Sequence, residues 1–158
     1  MITEVIKNAD REIALSRLVD APRELVWDAW VKPEHVAKWW GPDGFTNTVH
    51  EMSVKPGGVW RVTMHGPDGT DYPNKIVFKE VKRPELLTYF HCDDGDDAGV
   101  AFDSAVTFEE KGGKTLVTLR VTLASSQERE RLIEEVGALE GGKQTLGRLA
   151  AYAEKMAG

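Results

Sequence analysis

The four histidines and the single cysteine are the first side chains to consider for metal binding or nucleophilic catalysis. They are His35, His50, His65, His91 and Cys92. No histidine occurs in an H-E-x-x-H pair or in a paired Cys/His arrangement that would indicate zinc. His91 is the only base next to Cys92, and adjacent residues of a strand point to opposite faces. The sequence therefore predicts no metal ion and no local catalytic residue.

Two further segments match binding motifs only in part. GALEGGKQT at 137–145 approaches the phosphate-binding pattern G-x-x-x-x-G-K-[ST], but Gln144 stands where a hydroxyl should hold magnesium. We interpret its glycines as a hinge between two helical pieces. DDGDD at 93–97 lacks the spacing and the closing glutamate of a calcium loop. It is interpreted as a solvated turn, with a weak cation site as the alternative, so no cofactor is predicted.

Charge and hydropathy exclude several classes of partner. The 158 residues include 20 basic and 26 acidic side chains, a net charge of -6 and the wrong sign for a nucleic-acid surface. No apolar run approaches the ~18–20 residues of a membrane span, and no secretory signal is visible. One cysteine cannot form an internal disulfide. We expect one cytoplasmic domain covering residues 1–158.

The elements that would position these side chains begin with a strand and two short helices. A flexible lead-in is expected from Met1 to about Asp10, followed by a strand at Glu12–Val19. Apolar residues then recur at helical spacing over 22–31, and a second helical piece at 34–40 ends at turn residues. Four of the five tryptophans lie in this region. We expect Trp39 and Trp40 to reach a cavity mouth, one packed inward and the other at the rim.

The middle of the chain is predicted to be antiparallel sheet. Segments rich in Val, Thr, Phe, Tyr and Trp alternate with Gly, Pro and Asp clusters, and the short connectors favour hairpins in sequence order. The predicted strands are 45–54, 59–65, 74–82, 86–92, 100–109 and 115–123. In the last of them, Val117, Leu119 and Val121 alternate with polar residues, which indicates one buried face.

The end of the chain is predicted to be helical. Ser125 and Glu128 form a capping box before a charged helix that runs to residue 136. Gly137, Gly141 and Gly142 then interrupt the pattern, and residues 143–156 form a long helix with an apolar stripe.

Four separated segments resemble one known family. They are DAPRELVWDAWVKPEHVAKWWGP (20–42), HEMSVKPGGVWRVTMHGPDGTDYPN (50–74), EVKRPELLTY (80–89) and GGKQTLGRLAAYAEKM (141–156). The chain resembles the START/SRPBCC superfamily, in the bacterial branch related to activators of the heat-shock-protein-90 ATPase that includes CalC-like proteins. The resemblance implies an α+β helix-grip fold: a curved antiparallel sheet, in the order β-α-α-β6-α, wrapped around a long C-terminal helix.

This fold is expected to enclose a cavity between the sheet and the terminal helix. Because the predicted strands carry many aromatic and methionine side chains, we expect a protein that binds a hydrophobic or aromatic small molecule there. The candidate cavity residues are Trp40, His50, Trp60, Met64, Phe78, Tyr89, His91, Phe102 and Leu146.

Two alternatives remain open. A polyketide cyclase-like enzyme would use His50, Tyr89 or His91 to transfer a proton to a bound polyketide. A chaperone-interacting module with a role in stress response follows from the resemblance alone. The resemblance also makes a homodimer plausible.

Overall fold

The sheet is a meander of six consecutive strands, and the first long strand pairs beside the last of them. The computed structural model describes residues 3–6, 12–93, 102–123, 125–136 and 138–158. Within them, eight antiparallel strands follow the order β1-β2-β8-β7-β6-β5-β4-β3. The strands are β1 Thr3–Ile6, β2 Glu12–Val19, β3 Thr46–Met52, β4 Val59–His65, β5 Asp71–Lys82, β6 Leu86–Asp93, β7 Phe102–Lys111 and β8 Lys114–Thr122. The predicted hairpins between consecutive strands and the helix-grip fold are confirmed.

Two differences from the predicted strands have simple causes. Thr3–Ile6, inside the expected flexible lead-in, instead pairs with β2 as an edge strand. β5 begins at Asp71 rather than at residue 74, because the tight turn after β4 lets pairing start at His65 opposite Asp71. The interpretation of DDGDD at 93–97 as a turn concerns residues that lie almost entirely outside the described part of the chain.

The helices are short except for the last. They are α1 Arg23–Val31, α2 Pro33–Val36, α3 Ser126–Arg131 and α4 Ala138–Ala157, and a π-helical turn spans Leu132–Val136. The predicted cap is present: Ser125 Oγ accepts a hydrogen bond from the Glu128 backbone N–H at 3.1 Å. α4 packs against β2 and α1. No helix in the described ranges is long and apolar enough to cross a membrane.

The predicted glycine hinge is wrong at two of its three positions, because α4 runs through Gly141 and Gly142 without a break. The structure gives Gly142 a different role. A Cβ atom there would lie 2.4 Å from Leu15 Cδ1, so the absence of a side chain lets α4 approach β2 closely. The third position, Gly137, lies outside the described residues.

The tryptophans of the helical region form the centre of the core. Trp30 is fully buried and meets Trp39 edge to face at a centroid distance of 4.9 Å. Trp40 in turn contacts Trp60 of β4 at 4.8 Å. Trp39 and Trp40 are only 1% and 8% exposed. The expectation that one of them stays at the rim is therefore wrong. The aromatic contacts join α1, the segment after α2 and the sheet in one cluster.

Replacing the two helical glycines separately tests the close approach of α4 to β2. We expect Gly142→Ala to lower the free energy of unfolding by about 1–3 kcal/mol, because its methyl group would overlap Leu15. Gly141→Ala is the matched control: its Cβ would meet only Pro42 Cγ at 3.5 Å. Alanine's better helix propensity should then raise stability by up to about 1 kcal/mol. Urea denaturation measures both, and equal effects would contradict the proposed crowding.

Candidate functional site

A cavity of about 270 Å³ lies between the concave face of the sheet and α4. This volume is just below the ~300–1,000 Å³ typical of small-molecule sites. Five of the nine predicted cavity residues line it: Trp40, Met64, Tyr89, His91 and Phe102. The sheet contributes four of these five side chains, from β4, β6 and β7, and Trp40 comes from the segment that follows α2.

The other four predicted residues lie elsewhere. Trp60, Phe78 and Leu146 are at most 1% exposed and belong to the solid core. His50 is exposed, and its Nε2 lies 2.7 Å from Thr63 Oγ1. Exposure alternates along β3, with Val49 half-buried and His50 exposed, so the imidazole lies on the face away from the cavity.

The remaining lining residues were missed by sequence reasoning because they are mostly ordinary core or turn types. They come from β2, α1, the segment after α2, β7, β8, the π-helical turn and α4. They are Ile13, Leu15, Trp30, Gly41, Pro42, Ser104, Leu119, Val121, Leu132, Gly142 and Thr145. The alternating apolar pattern of β8 indicated that Leu119 and Val121 face inward, so these two lining residues could have been predicted from the sequence.

Four polar side chains interrupt the apolar wall: Tyr89, His91 and Ser104 on the sheet and Thr145 on α4. Tyr89 and His91 are two residues apart on β6, so they share its concave face. The sheet register places Ser104 of β7 directly opposite Tyr89. Tyr89 and Ser104 are 2% and 4% exposed. Ser104 Oγ has no hydrogen-bond partner among the described residues.

Burial keeps both titratable groups of the cavity uncharged at neutral pH. It raises the pKa of the Tyr89 phenol well above its usual value near 10, and the neighbouring Ser104 hydroxyl offsets only part of this rise. Burial also lowers the pKa of the His91 imidazole from 6.5 to about 4. The cavity therefore presents a neutral phenol and a neutral imidazole, and its environment opposes the formation of charge.

The hydrogen bonds around His91 define its tautomer. The Asn74 amide donates from Nδ2 to the Tyr72 carbonyl oxygen at 2.9 Å, which leaves Oδ1 as an acceptor. His91 Nε2 lies 2.7 Å from that oxygen and therefore carries the proton. The ring packs on Phe102 at a centroid distance of 4.6 Å. Nδ1 is consequently the nitrogen with the lone pair, able to accept a proton or a hydrogen bond.

Arg148 of α4 fixes one wall of the cavity. Its guanidinium donates to five backbone carbonyl oxygens of the loop that joins α2 to β3, residues 37–45. The acceptors are those of Lys38 at 3.4 Å, Trp40 at 3.3 Å, Gly41 at 2.9 Å, Pro42 at 2.7 Å and Phe45 at 3.0 Å. Burial lowers the pKa of Arg148, and the Asp43 carboxylate opposes this shift. An arginine remains charged under such conditions.

The side chains of Asn47 and Gln144 also hold the 37–45 loop. Asn47 Nδ2 donates to the Trp40 carbonyl oxygen at 2.9 Å, and the Asp43 backbone N–H donates to Gln144 Oε1 at 3.0 Å. Gly41 has a φ of +92°, and a Cβ there would lie 2.7 Å from Met64 Cε. Only glycine fits this position without strain. Trp40, Gly41 and Pro42 are therefore a fixed part of the wall.

No metal centre is formed by the described residues: they contain no group of three His, Cys, Asp or Glu side chains that could hold an ion.

The comparison with known families decides the classification. The model of the activator of Hsp90 ATPase homolog 1-like proteins matches residues 20–154, which is most of the chain. The chain belongs to this family. The predicted resemblance to the START/SRPBCC superfamily is thereby confirmed. No curated protein matches this chain significantly.

Several solved structures have the same fold as this chain. A protein of Arthrobacter aurescens has a TM-score of 0.87 at 23% identity, over 96% of this chain and 91% of the other. Protein Ms6760 of Mycobacterium smegmatis has a TM-score of 0.82 at 24% identity, over 94% of each chain. DynU16, a putative protein in the dynemicin biosynthetic locus, has a TM-score of 0.72 at 24% identity, over 94% of this chain and 49% of its own.

The lowered pKa of the His91 imidazole predicts a pH dependence of stability. The unfolded chain binds a proton at His91 near pH 6.5, but the folded chain binds it only near pH 4. Stability should therefore fall as the pH is lowered from 6.5 to 4 and lose up to about 3 kcal/mol through this group. His91→Gln removes the titration. The difference in unfolding free energy between wild type and variant should change across this window, and parallel curves would contradict the assignment.

The hydrogen bonds of Arg148 predict that a lysine at this position, although positively charged, cannot hold the 37–45 loop. We expect Arg148→Lys to lower the free energy of unfolding by about 2–4 kcal/mol, because one ammonium group cannot reach five separated carbonyl oxygens. Arg83→Lys is the control: its exposed ion pair with Asp28, at 3.7 Å, should contribute less than about 1 kcal/mol. Chemical denaturation compares the two. A lysine variant as stable as wild type at position 148 excludes the anchoring role.

Proposed function

We propose that this protein binds an apolar or aromatic small molecule in the cavity beneath α4. The observation that carries the proposal is the wall itself, which is apolar except at Tyr89, His91, Ser104 and Thr145. Binding sites of this kind combine a large apolar surface with a few polar groups that orient the ligand. Apolar surface transferred from water contributes roughly 25 cal/mol per Å².

The rigidity of the walls also supports binding. Arg148 and Asn47 hold the loop that carries Trp40, Gly41 and Pro42, and the sheet holds the opposite side. A cavity whose walls are already ordered requires little further loss of side-chain freedom when a ligand enters. The aromatic faces of Trp40 and Phe102 favour a planar ligand.

A cyclase-like enzyme is the second candidate. The lone pair on Nδ1 of neutral His91 and the phenol of Tyr89 favour it, because they supply a proton acceptor and a proton donor on one face of β6. This candidate differs from binding alone in requiring turnover of the ligand. His50 is not available for such a role, since it lies on the outer face. The similarity to DynU16 fits either role and extends to the fold alone.

Chaperone binding, a role in stress response, a cytoplasmic location and homodimer formation stay predictions from the sequence and from the resemblance.

Filling the cavity tests the proposed function. The neutral probe N-phenyl-1-naphthylamine should show saturable fluorescence enhancement with the wild type. Leu119→Trp, which places an indole in the cavity, should weaken this binding at least about tenfold by removing the space. His50→Trp is the matched control, because it adds the same side chain on the outer face and should leave binding unchanged. Cooperative thermal unfolding of both variants verifies that they fold. Equal probe affinity in the two variants would place the binding site elsewhere.

A further inference from the structure

The cavity wall contains a buried hydroxyl with an unused hydrogen bond. Ser104 is 4% exposed, and its Oγ has no partner at hydrogen-bond distance and angle among the described residues; its polar neighbour is the Tyr89 phenol, whose pKa it lowers slightly. A buried polar group without a partner destabilises a folded protein, so such groups are uncommon away from sites that use them. By contrast Ser16, which is 6% exposed, has its Oγ 3.0 Å from Thr118 Oγ1.

The position of Ser104 in the sheet directs this hydroxyl to the concave side. Ser104 and Phe102 are two residues apart on β7 and both line the cavity, while the intervening Asp103 is exposed. Tyr89 is directly opposite on β6, and the next inward residue of that strand is His91. The hydroxyl therefore belongs to the polar group at one side of the cavity.

The wall offers more hydrogen-bond donors than acceptors. Trp30 Nε1 and Trp40 Nε1, which belong to lining residues, also have no partner among the described residues. The Thr145 hydroxyl already donates to the Gly141 carbonyl oxygen at 2.8 Å, and His91 Nε2 is used by Asn74. Against the Ser104 hydroxyl and the two indole N–H groups stands one acceptor without hydrogen, the Nδ1 lone pair of His91. A ligand atom that only accepts hydrogen bonds complements such a wall.

The same wall lacks a counter-charge for an ionic ligand. No Lys, Arg, Asp or Glu is among the described residues that line the cavity. Burial keeps His91 and Tyr89 neutral, as their shifted pKa values indicate. A carboxylate or an ammonium group would therefore lose its hydration without gaining a charged partner, which is strongly unfavourable.

We propose that the ligand is a neutral aromatic or apolar compound with a carbonyl group, and that the Ser104 hydroxyl donates a hydrogen bond to its carbonyl oxygen. The inference rests on the proposed binding function and specifies the chemical class of ligand for the same cavity. Ser104 thereby acts as a specificity-determining residue: apolar contact brings the ligand in, and the hydroxyl selects the carbonyl compound.

Three naphthalene probes that differ in one group test the inference by isothermal titration calorimetry. 2-Acetylnaphthalene carries the carbonyl, 2-isopropenylnaphthalene replaces its oxygen by a methylene group, and 2-naphthoate is the corresponding anion. The wild type should bind the ketone about 3–10-fold more tightly than the alkene, as expected for one hydrogen bond. It should bind the carboxylate most weakly. Ser104→Ala should bind the ketone and the alkene equally, while Ser16→Ala keeps the preference.

The outcomes separate this inference from the proposed function. If the alkene and the ketone bind the wild type equally, or if the preference persists in Ser104→Ala, the role of Ser104 is wrong although cavity binding stands. Tighter binding of the carboxylate also overturns the inference. If none of the three probes binds, both proposals fail at this ligand size.

Stability supplies a second readout that a purely structural serine would not give. Because the hydroxyl makes no hydrogen bond of normal geometry in the ligand-free protein, Ser104→Ala should raise its Tm by about 2–4 °C while it removes the preference for the ketone. A fall in Tm shows that the hydroxyl already has a structural partner, and it overturns the inference.

Discussion

The guanidinium of Arg148 is the interaction on which the cavity depends. A loop that runs over an apolar space has backbone carbonyl oxygens that neither a helix nor a strand can satisfy, and a planar cation with five N–H donors can bind several of them at once. Arg148 does this for the loop at 37–45, and it does so from α4. One side chain thus makes five of the hydrogen bonds between the helix that covers the cavity and the loop that forms its wall. Without it, the contacts of Gln144 and Asn47 would hold this boundary with far fewer hydrogen bonds.

The aromatic cluster connects the anchored loop to the rest of the core. Trp40 belongs to the anchored loop, yet its ring contacts Trp30 of α1 at 5.9 Å and Trp60 of β4 at 4.8 Å. Trp60 then continues to Phe78 at 6.4 Å, and Phe78 to Tyr89 at 6.2 Å. The contacts of Trp40 with Trp30 and Trp60 are edge to face, as is that of Phe78 with Tyr89, and in each the positive edge of one ring meets the negative face of the next. Trp60 and Phe78 lie parallel. These contacts connect the anchored loop to Tyr89, which faces the cavity from β6.

The sequence predicted most of the strands and helices, but only in part which residues of each strand face the cavity. Turn residues marked the hairpins, so the meander followed from short connectors, and the four motif segments indicated the family. The position of His50 was wrong because a strand pattern with weak alternation does not show which face turns inward, and β3 also contains a bulge between Val49 and Glu51. The glycine hinge was wrong because the sequence does not reveal that Gly142 faces Leu15, 127 positions earlier in the chain. Ser104 was missed because the sequence does not show whether the hydroxyl of a serine in a strand is buried or has a hydrogen-bond partner.

The pairing of β2 with β8 has a consequence for how the protein is made. Val19 lies opposite Thr115, and Glu12 lies opposite Thr122, so β2 cannot pair with its neighbour in the sheet until β8 has also been synthesised. At about 5–20 residues per second, the intervening chain takes on the order of 5–20 s to synthesise. During that interval, β2 and the tryptophan-rich helices that follow it have neither the sheet nor α4 to cover them. The nascent chain therefore exposes the four tryptophans of this region until β8 has been made.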